Sequence, residues 1–584
     1  MSSSSLPPLQ PGASRRRRRD RRPLLALALV ALAAAAAVVA LSLGGGAPSP
    51  SLLAEHYARA WAREDYGALY ADLDARSRRS LSLARLTAIE RHDAALASVS
   101  GASVGIASRT SEGRVSVPVR VRTRLFRTLY ERFTLSISST GGALGITWGA
   151  PAAFPGLHAG ERLRRVETMP RRGSLLARDG TALSALPAAS NLIGSVGSAS
   201  GAQLHELLAA GFPASAPVGI DGLERLFQHA LGGSPGGVLY AGRRLLAATA
   251  PRRGSDVRTS ISPQLQALAV QELGTSLGGI AVMDPANGEL LAAAGRPLSE
   301  LQPPGSTFKI ITLTAVLEAG LSTARTVYPY ATSTVLDGFT LHNASGESCG
   351  GTLANAFAVS CNSVFAPLGA RLGASRMLAA ARAYGFNAPS PVSTAAESTI
   401  PPDSLADDLA LGDSAIGQGQ VLASPLQMLR VAATIALVGR RPVPTLALVA
   451  PRRFPRVIPV TVARTVRALM RDVVDYGTGT AAQIPSVIVA GKTGTAQVIT
   501  PQCNVGATGT TGANGPSGPS GATGAAGCPA FDTNPHDTDA WFVAFAPEIR
   551  PRVVVSVLLP NDGAGGTSAA PLAKPILEAV LGVG

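Results

Sequence analysis

From Leu24 to Leu43 the chain carries no charged residue, and RRRRRDRR stands just before it at Arg15–Arg22. An apolar helix of that length crosses a bilayer core of ~30 Å. The basic block supplies +6 of the formal net charge of +15, and the positive-inside rule keeps such a block cytoplasmic. The run therefore predicts a basic cytoplasmic tail over 1–22, a single-pass anchor over 23–44, and everything after Gly44 outside the cell membrane. A cleaved signal peptide is the rival; it needs a shorter apolar core and a small-residue cleavage site, which the Ala-rich end and Ala47-Pro48 leave open. A buried soluble helix does not suit a neighbour of seven arginines.

At 584 residues the remainder must fold as several modules. Aromatic residues are few, so Leu, Val and Ala carry the packing. A linker at Pro48–Pro50 precedes a helical stripe of Leu53, Tyr57, Ala60 and Trp61, and a second helix covers about Leu81–Val99. The period then switches to alternation from Val115 to Leu125 and on through YERFTLSIS, the mark of a sheet with one wet face. Helices followed by strands make a small α+β domain over 51–149. In 161–260, RRGSLLARDGTAL suggests a hairpin turning at Asp179–Gly180, among short helices and glycine-rich loops. From 262 to 584 come a helix with Pro263 near its start, the hairpin GGIAVMDPANGELLAAAG, and alternating helical and extended segments. No basic-aromatic cluster points to nucleic acid.

Three short motifs carry the chemistry. PPGSTFKIITLTAVLEAG puts Ser306 at a helix start with Lys309 three residues on, on the same face. A serine hydroxyl is a weak nucleophile, and a neutral, desolvated lysine within reach can take its proton. The helix N-terminus favours charge developing on a carbonyl oxygen. On spacing alone, a helix cap beside a surface lysine is the better reading. AVSCNSVF adds Ser360-Cys361-Asn362, and AGKTGTAQ adds Lys492-Thr493-Gly494-Thr495 in a strand. Singly each is bland, but the order S-x-x-K, S-x-N, K-T-G is specific. No G-x-S-x-G elbow or zinc spacing competes, no metal site is expected, and His536 reads as a loop histidine.

With these motifs the chain resembles the class B penicillin-binding proteins. The likeness covers about Ser262–Gly584, including AIGQGQVLASPLQM and DAWFVAFAP. Residues 51–149 resemble the cone-shaped extension of the methicillin-resistance type; 161–260 resemble the pedestal, or dimerisation, domain, with RRGSLLARDG the clearest segment. The resemblance implies a multidomain chain: a single N-terminal transmembrane helix, a small α+β cone-shaped domain, an α+β pedestal domain and an α/β serine transpeptidase domain of the penicillin-recognising, β-lactamase-like kind. It implies Ser306 as nucleophile, Lys309 as its base and Ser360 as proton relay. Asn362, Lys492, Thr493, Gly494 and Thr495 would bind the D-Ala-D-Ala stem, with the backbone N–H groups of Ser306 and Thr495 as oxyanion hole. The implied activity is cross-linking of peptidoglycan stem peptides through an acyl-serine, with covalent penicillin binding and no cofactor. Its partners would be lipid-linked precursor, nascent glycan stem peptides, β-lactams and a separate glycan polymerase, since no paired-carboxylate pattern precedes Ser262. A D,D-carboxypeptidase or β-lactamase-type hydrolase would share the motifs if water took the acyl group. A non-enzymatic β-lactam sensor would need more cytoplasmic chain than Met1–Arg22.

Between KTGT and DAWF every third residue from Gly506 to Gly527 is glycine, flanked by Cys503 and Cys528. A collagen helix needs three chains and many imino acids; only Pro516 and Pro519 are present, so the tract reads as a flexible polar insert. Cys503 and Cys528 are expected to pair across it. Cys361, inside S-x-N, reads as a small buried residue, with a local bridge to Cys349 also open.

Overall fold

The computed structural model describes residues 49–110, 112–449, 453–497 and 538–583. The expected anchor at 23–44 and the expected Cys503–Cys528 pair lie outside them. Among the described residues no helix is long and apolar enough to cross a membrane. The chain divides into two compact units, Met1–Glu167 with Gly237–Thr249, and Thr168–Gly236 with Ala250–Gly584.

In the first unit α1 (Pro50–Ala62) starts with proline, which is pre-set for a helix and whose missing N–H is not needed there. Ser82 caps α2 (Leu83–Leu96) by accepting from Arg85 N at 3.2 Å. The central strand β2 (Val115–Thr123) pairs antiparallel with β1 (Val99–Val104) and β3 (Thr128–Leu135). Its alternation is as read: Val117, Val119 and Val121 are buried while Arg120 and Arg122 stay out. The buried face receives α1, where Tyr57 and Trp61 meet Phe133 edge-on with ring centroids 5.9 and 5.4 Å apart. A second sheet joins β4 (Leu163–Thr168), β5 (Gly236–Ala241) and β6 (Arg244–Thr249) in the order β6-β5-β4.

In the second unit the hairpin expected at Asp179–Gly180 shrinks to one bridge, Leu176–Ala182. Asp179 Oδ1 accepts from Thr181 N and closes the turn at once. Leu175–Leu176 instead pairs in parallel with Val257–Arg258. Ser262 caps α3 (Pro263–Leu273), again with proline in the first turn. The hairpin β7 (Gly279–Asp284) and β8 (Glu289–Gly295) follows. A helical layer then contains α4 (Lys309–Glu318), α5 (Leu353–Ala358), α6 (Asn362–Leu372), α7 (Pro425–Ala436) and α8 (Val460–Asp475). The sheet is completed by β10 (Ala490–Gln497), β11 (Thr538–Ala546) and β12 (Val553–Leu559), after β9 (Cys349–Thr352) in a small separate ribbon. Its antiparallel order is β8-β7-β12-β11-β10, and the chain ends in α9 (Ala570–Leu581).

Every residue of β11 and β12 is buried. Successive side chains of a strand point to opposite faces, and here both faces are covered. Ala540, Phe542 and Ala544 pack with α3 and α9 through Ala269, Leu273, Ala573 and Ile576. Trp541, Val543 and Phe545 pack on the other side with α7 residues such as Met428 and Val431. This accounts for continuous apolar runs such as VVVSVLL where a one-sided sheet would alternate. Among the described residues strand β10 is an edge, with one row of backbone groups unpaired within the sheet.

Candidate active site

Ser306 lies half-buried in a 3-10 turn, Gly305–Phe308, that runs straight into α4. Its Oγ has no hydrogen-bond partner among the described residues. The turn is held between β10 and the Gly417 loop by two backbone contacts that only glycine permits. A Cβ on Gly494 would lie 2.7 Å from Pro304 O; a Cβ on Gly417 (φ +80) would lie 2.0 Å from Gly305 O. Gly305 N also donates to Gly417 O at 2.9 Å, and Trp541 Nε1 to Pro303 O at 2.9 Å. The glycine loop IGQGQ, which carried no role in the sequence reading, is thus the backbone cradle behind Ser306.

Lys309 opens α4 and is fully buried. Its Nζ donates to Ser360 O and to Asn362 Oδ1, both at 2.6 Å, and lies 3.4 Å from Ser360 Oγ. Burial, then the neighbouring Lys492, holds its pKa well below the ordinary lysine value. A neutral amine has two hydrogens and one lone pair. The two short bonds use both hydrogens, and the lone pair remains for an incoming proton.

Ser360 joins α5 to α6 at φ +62, a left-handed conformation that costs a non-glycine residue on the order of 1–3 kcal/mol. Three things hold it. Ser360 N donates to Phe357 O and Cys361 N to Ala356 O. Cys361 is disulfide-bonded to Cys349 at the start of β9. Asn362 Nδ2 donates to His342 O at 3.0 Å.

Lys492, on β10, is also fully buried and donates to Ser360 Oγ at 2.9 Å. Burial lowers its pKa to about 7. Each lysine rests over an aromatic face, Lys309 over Phe365 at 5.6 Å and Lys492 over Phe357 at 5.5 Å. These rings offset part of the desolvation of whichever amine holds the proton. Thr493 is buried and its hydroxyl is bonded to that of Thr478; Thr495 is partly exposed on the same strand.

The structure therefore brings Lys309, Ser360, Asn362 and Lys492 into one hydrogen-bonded cluster, with Ser306 one turn ahead of Lys309 and Thr493–Thr495 along the edge strand of the sheet. Sequence reading missed Phe357, Phe365, Gly417, Trp541 and Thr478. Only Gly417 gave a signal, as the first of the glycine pair Gly417 and Gly419. Among the described residues no group of His, Cys, Asp and Glu is arranged to hold a metal ion. Chemically the cluster can take a proton from a hydroxyl, pass one through Ser360, and present positive charge to an anion.

A serine at a helix start, three residues before a buried lysine whose pKa is held down and beside the edge strand β10, defines a serine acyl-transfer site. Comparison with known proteins narrows the class. Residues 278–578 match the penicillin binding protein transpeptidase domain. The chain is 32% identical over 431 residues to the peptidoglycan D,D-transpeptidase PbpA of Mycolicibacterium smegmatis, covering 62% of this chain and 79% of that one. To PbpA of Mycobacterium tuberculosis it is 33% identical over 373 residues, covering 58% and 65%. The fold resembles penicillin-binding protein A from M. tuberculosis in its imipenem acyl-enzyme complex, with a TM-score of 0.51 and 25% identity over 71% of this chain and 99% of that one. The chain belongs to the penicillin-binding protein transpeptidase family, in its class B form.

Proposed function

We propose that the chain is a peptidoglycan D,D-transpeptidase that is acylated by penicillin. The observation that carries this is the buried Lys309–Ser360–Lys492 bridge, with Asn362 on Lys309. Ser306 Oγ attacks the carbonyl of the penultimate D-Ala and Lys309 takes its proton. The Oγ–C bond forms, the peptide C–N bond breaks, and the leaving D-Ala amine receives a proton through Ser360. An acceptor amine then attacks the acyl-serine and restores the Ser306 proton. Lys492, Thr493 and Thr495 hold the terminal carboxylate, Asn362 orients the stem amide, and the N–H groups of Ser306 and Thr495 stabilise the oxyanion. The position of β10 at the edge of the sheet supports this, because an edge strand pairs with an extended peptide.

The same reading makes 23–44 a membrane anchor, 51–149 a methicillin-resistance-type extension, 161–260 a pedestal, and a separate polymerase the source of glycan strands. It rests there on sequence alone, as does the pairing of Cys503 with Cys528. Ser306→Ala should abolish labelling by a fluorescent penicillin in a folded protein; persistent labelling would overturn the assignment. Anchored enzyme given lipid-linked substrate and a polymerase should yield cross-linked dimers. Free D-Ala without cross-links would make it a hydrolase.

A further inference from the structure

Helix α8 is followed by Gly477-Thr478-Gly479, a tight segment outside all three motifs. Thr478 N donates to Ala358 O at 3.1 Å, two residues before Ser360. A Cβ on Gly477 would lie 2.2 Å from that same Ala358 O, so the segment sits against the end of α5. On its other side Thr478 Oγ1 is hydrogen-bonded to Thr493 Oγ1. Thr478 thus ties the Ser360 loop to the Lys492-Thr493-Gly494 strand while its own side chain stays exposed.

We propose that Thr478 is a positioning residue that fixes the direction of the Thr493 proton. A hydroxyl has one hydrogen and two acceptor lone pairs. If Thr493 donated to Thr478, only lone pairs would face the cleft, and those repel a carboxylate. With Thr478 donating to Thr493 Oγ1, the Thr493 hydrogen is free for the carboxylate, and the donated bond polarises it. The specificity that follows is for acyl donors ending in a free carboxylate. This rests on the proposed role of Thr493 as a carboxylate ligand.

The test compares a depsipeptide or thioester donor bearing a terminal carboxylate with the same donor as its C-terminal amide. The second-order acylation rate of Ser306 is measured for both. Thr478→Val keeps the shape and removes the hydroxyl; it should lower the carboxylate-to-amide rate ratio by about 3- to 10-fold, the span of one ordinary hydrogen bond. Thr478→Ser should restore the ratio. A ratio unchanged in Thr478→Val, an equal fall for both donors, or a Thr478→Ser that behaves like Thr478→Val overturns the proposal. Wild type is run alongside: Ser306-dependent acylation with an insensitive ratio removes only the role of Thr478. No acylation at all removes the transpeptidase reading with it.

Discussion

Asn362 is the residue whose replacement best separates a base-tuning role from simple substrate contact. Its Oδ1 takes one of the two hydrogens that pin Lys309, at 2.6 Å, in a fully buried setting. A hydrogen bond to a charged group contributes about 1.5–3 kcal/mol and a neutral one about 0.5–1.5. Removing the acceptor in Asn362→Ala therefore penalises the ammonium more than the amine by roughly 1–1.5 kcal/mol. That lowers the Lys309 pKa further, by about one pH unit. Asn362→Asp acts the other way: a carboxylate beside the ammonium raises its pKa by about 1–3 units. The assay is the second-order rate of acylation by a fluorescent penicillin from about pH 5 to about pH 9, whose acid limb reports the base in the free enzyme. The limb should move down for Asn362→Ala and up for Asn362→Asp. Lost substrate contact changes the plateau height but not the limb. Limbs that coincide with wild type in both variants, or shift together, would refute the pinning of Lys309 by Asn362.

Cys349→Ala opens a bridge spanning 12 residues; the chain-entropy model puts the cost at about 3 kcal/mol. Its thermal midpoint under non-reducing conditions should fall, and acylation with it, because the Ser360 loop loses one of its ties. Gly417→Ala would force a methyl to 2.0 Å from Gly305 O; penicillin acylation should drop at least tenfold, or by about 1.4 kcal/mol, with the circular dichroism spectrum retained. Asp539 is fully buried with Oδ2 unpartnered, and burial pushes its pKa up to about 6. A folded pKa above the unfolded one gives stability that is complete below about pH 4 and lost as pH rises through about 6. Asp539→Asn should therefore melt above wild type near neutral pH, by on the order of 2–3 kcal/mol, with the gap closing in acid.

The motifs were legible because each is short and contiguous. Ser306 and Lys309 share one turn, and Lys492 to Thr495 share one strand, so local spacing already places them. The alternation in β2 and the helix start at Pro263 were legible for the same reason, whereas Pro50, expected in a linker, opens α1. What sequence could not show is what meets across the fold. Asn362 reaches Lys309 through 53 positions, and Lys492 reaches Ser360 through 132. Phe357 and Phe365 look like ordinary core residues until the lysines are laid over their rings. The hairpin at Asp179 stays one bridge long because its local turn signal was right while its first arm also pairs with Val257–Arg258.

The two lysines impose an order on the chemistry. Both are buried and both approach Ser360, so the cluster does not hold two full charges at neutral pH; burial lowers the pKa of each, and Lys309 is lowered further still by the neighbouring Lys492. Lys492, at about 7, is then the proton holder. A carboxylate arriving at Thr493 and Thr495 would bring a negative charge beside Lys492 and raise its pKa. The rate from free enzyme and the rate from the bound complex therefore report different states of one residue. For penicillin, the alkaline limb of the second-order rate should lie near pH 7. The limb of the first-order acylation step, measured at saturation by stopped flow, should lie about 1–3 units higher. Limbs that coincide would mean that Lys492 does not feel the carboxylate, and the anion would then have to be held by the threonines alone.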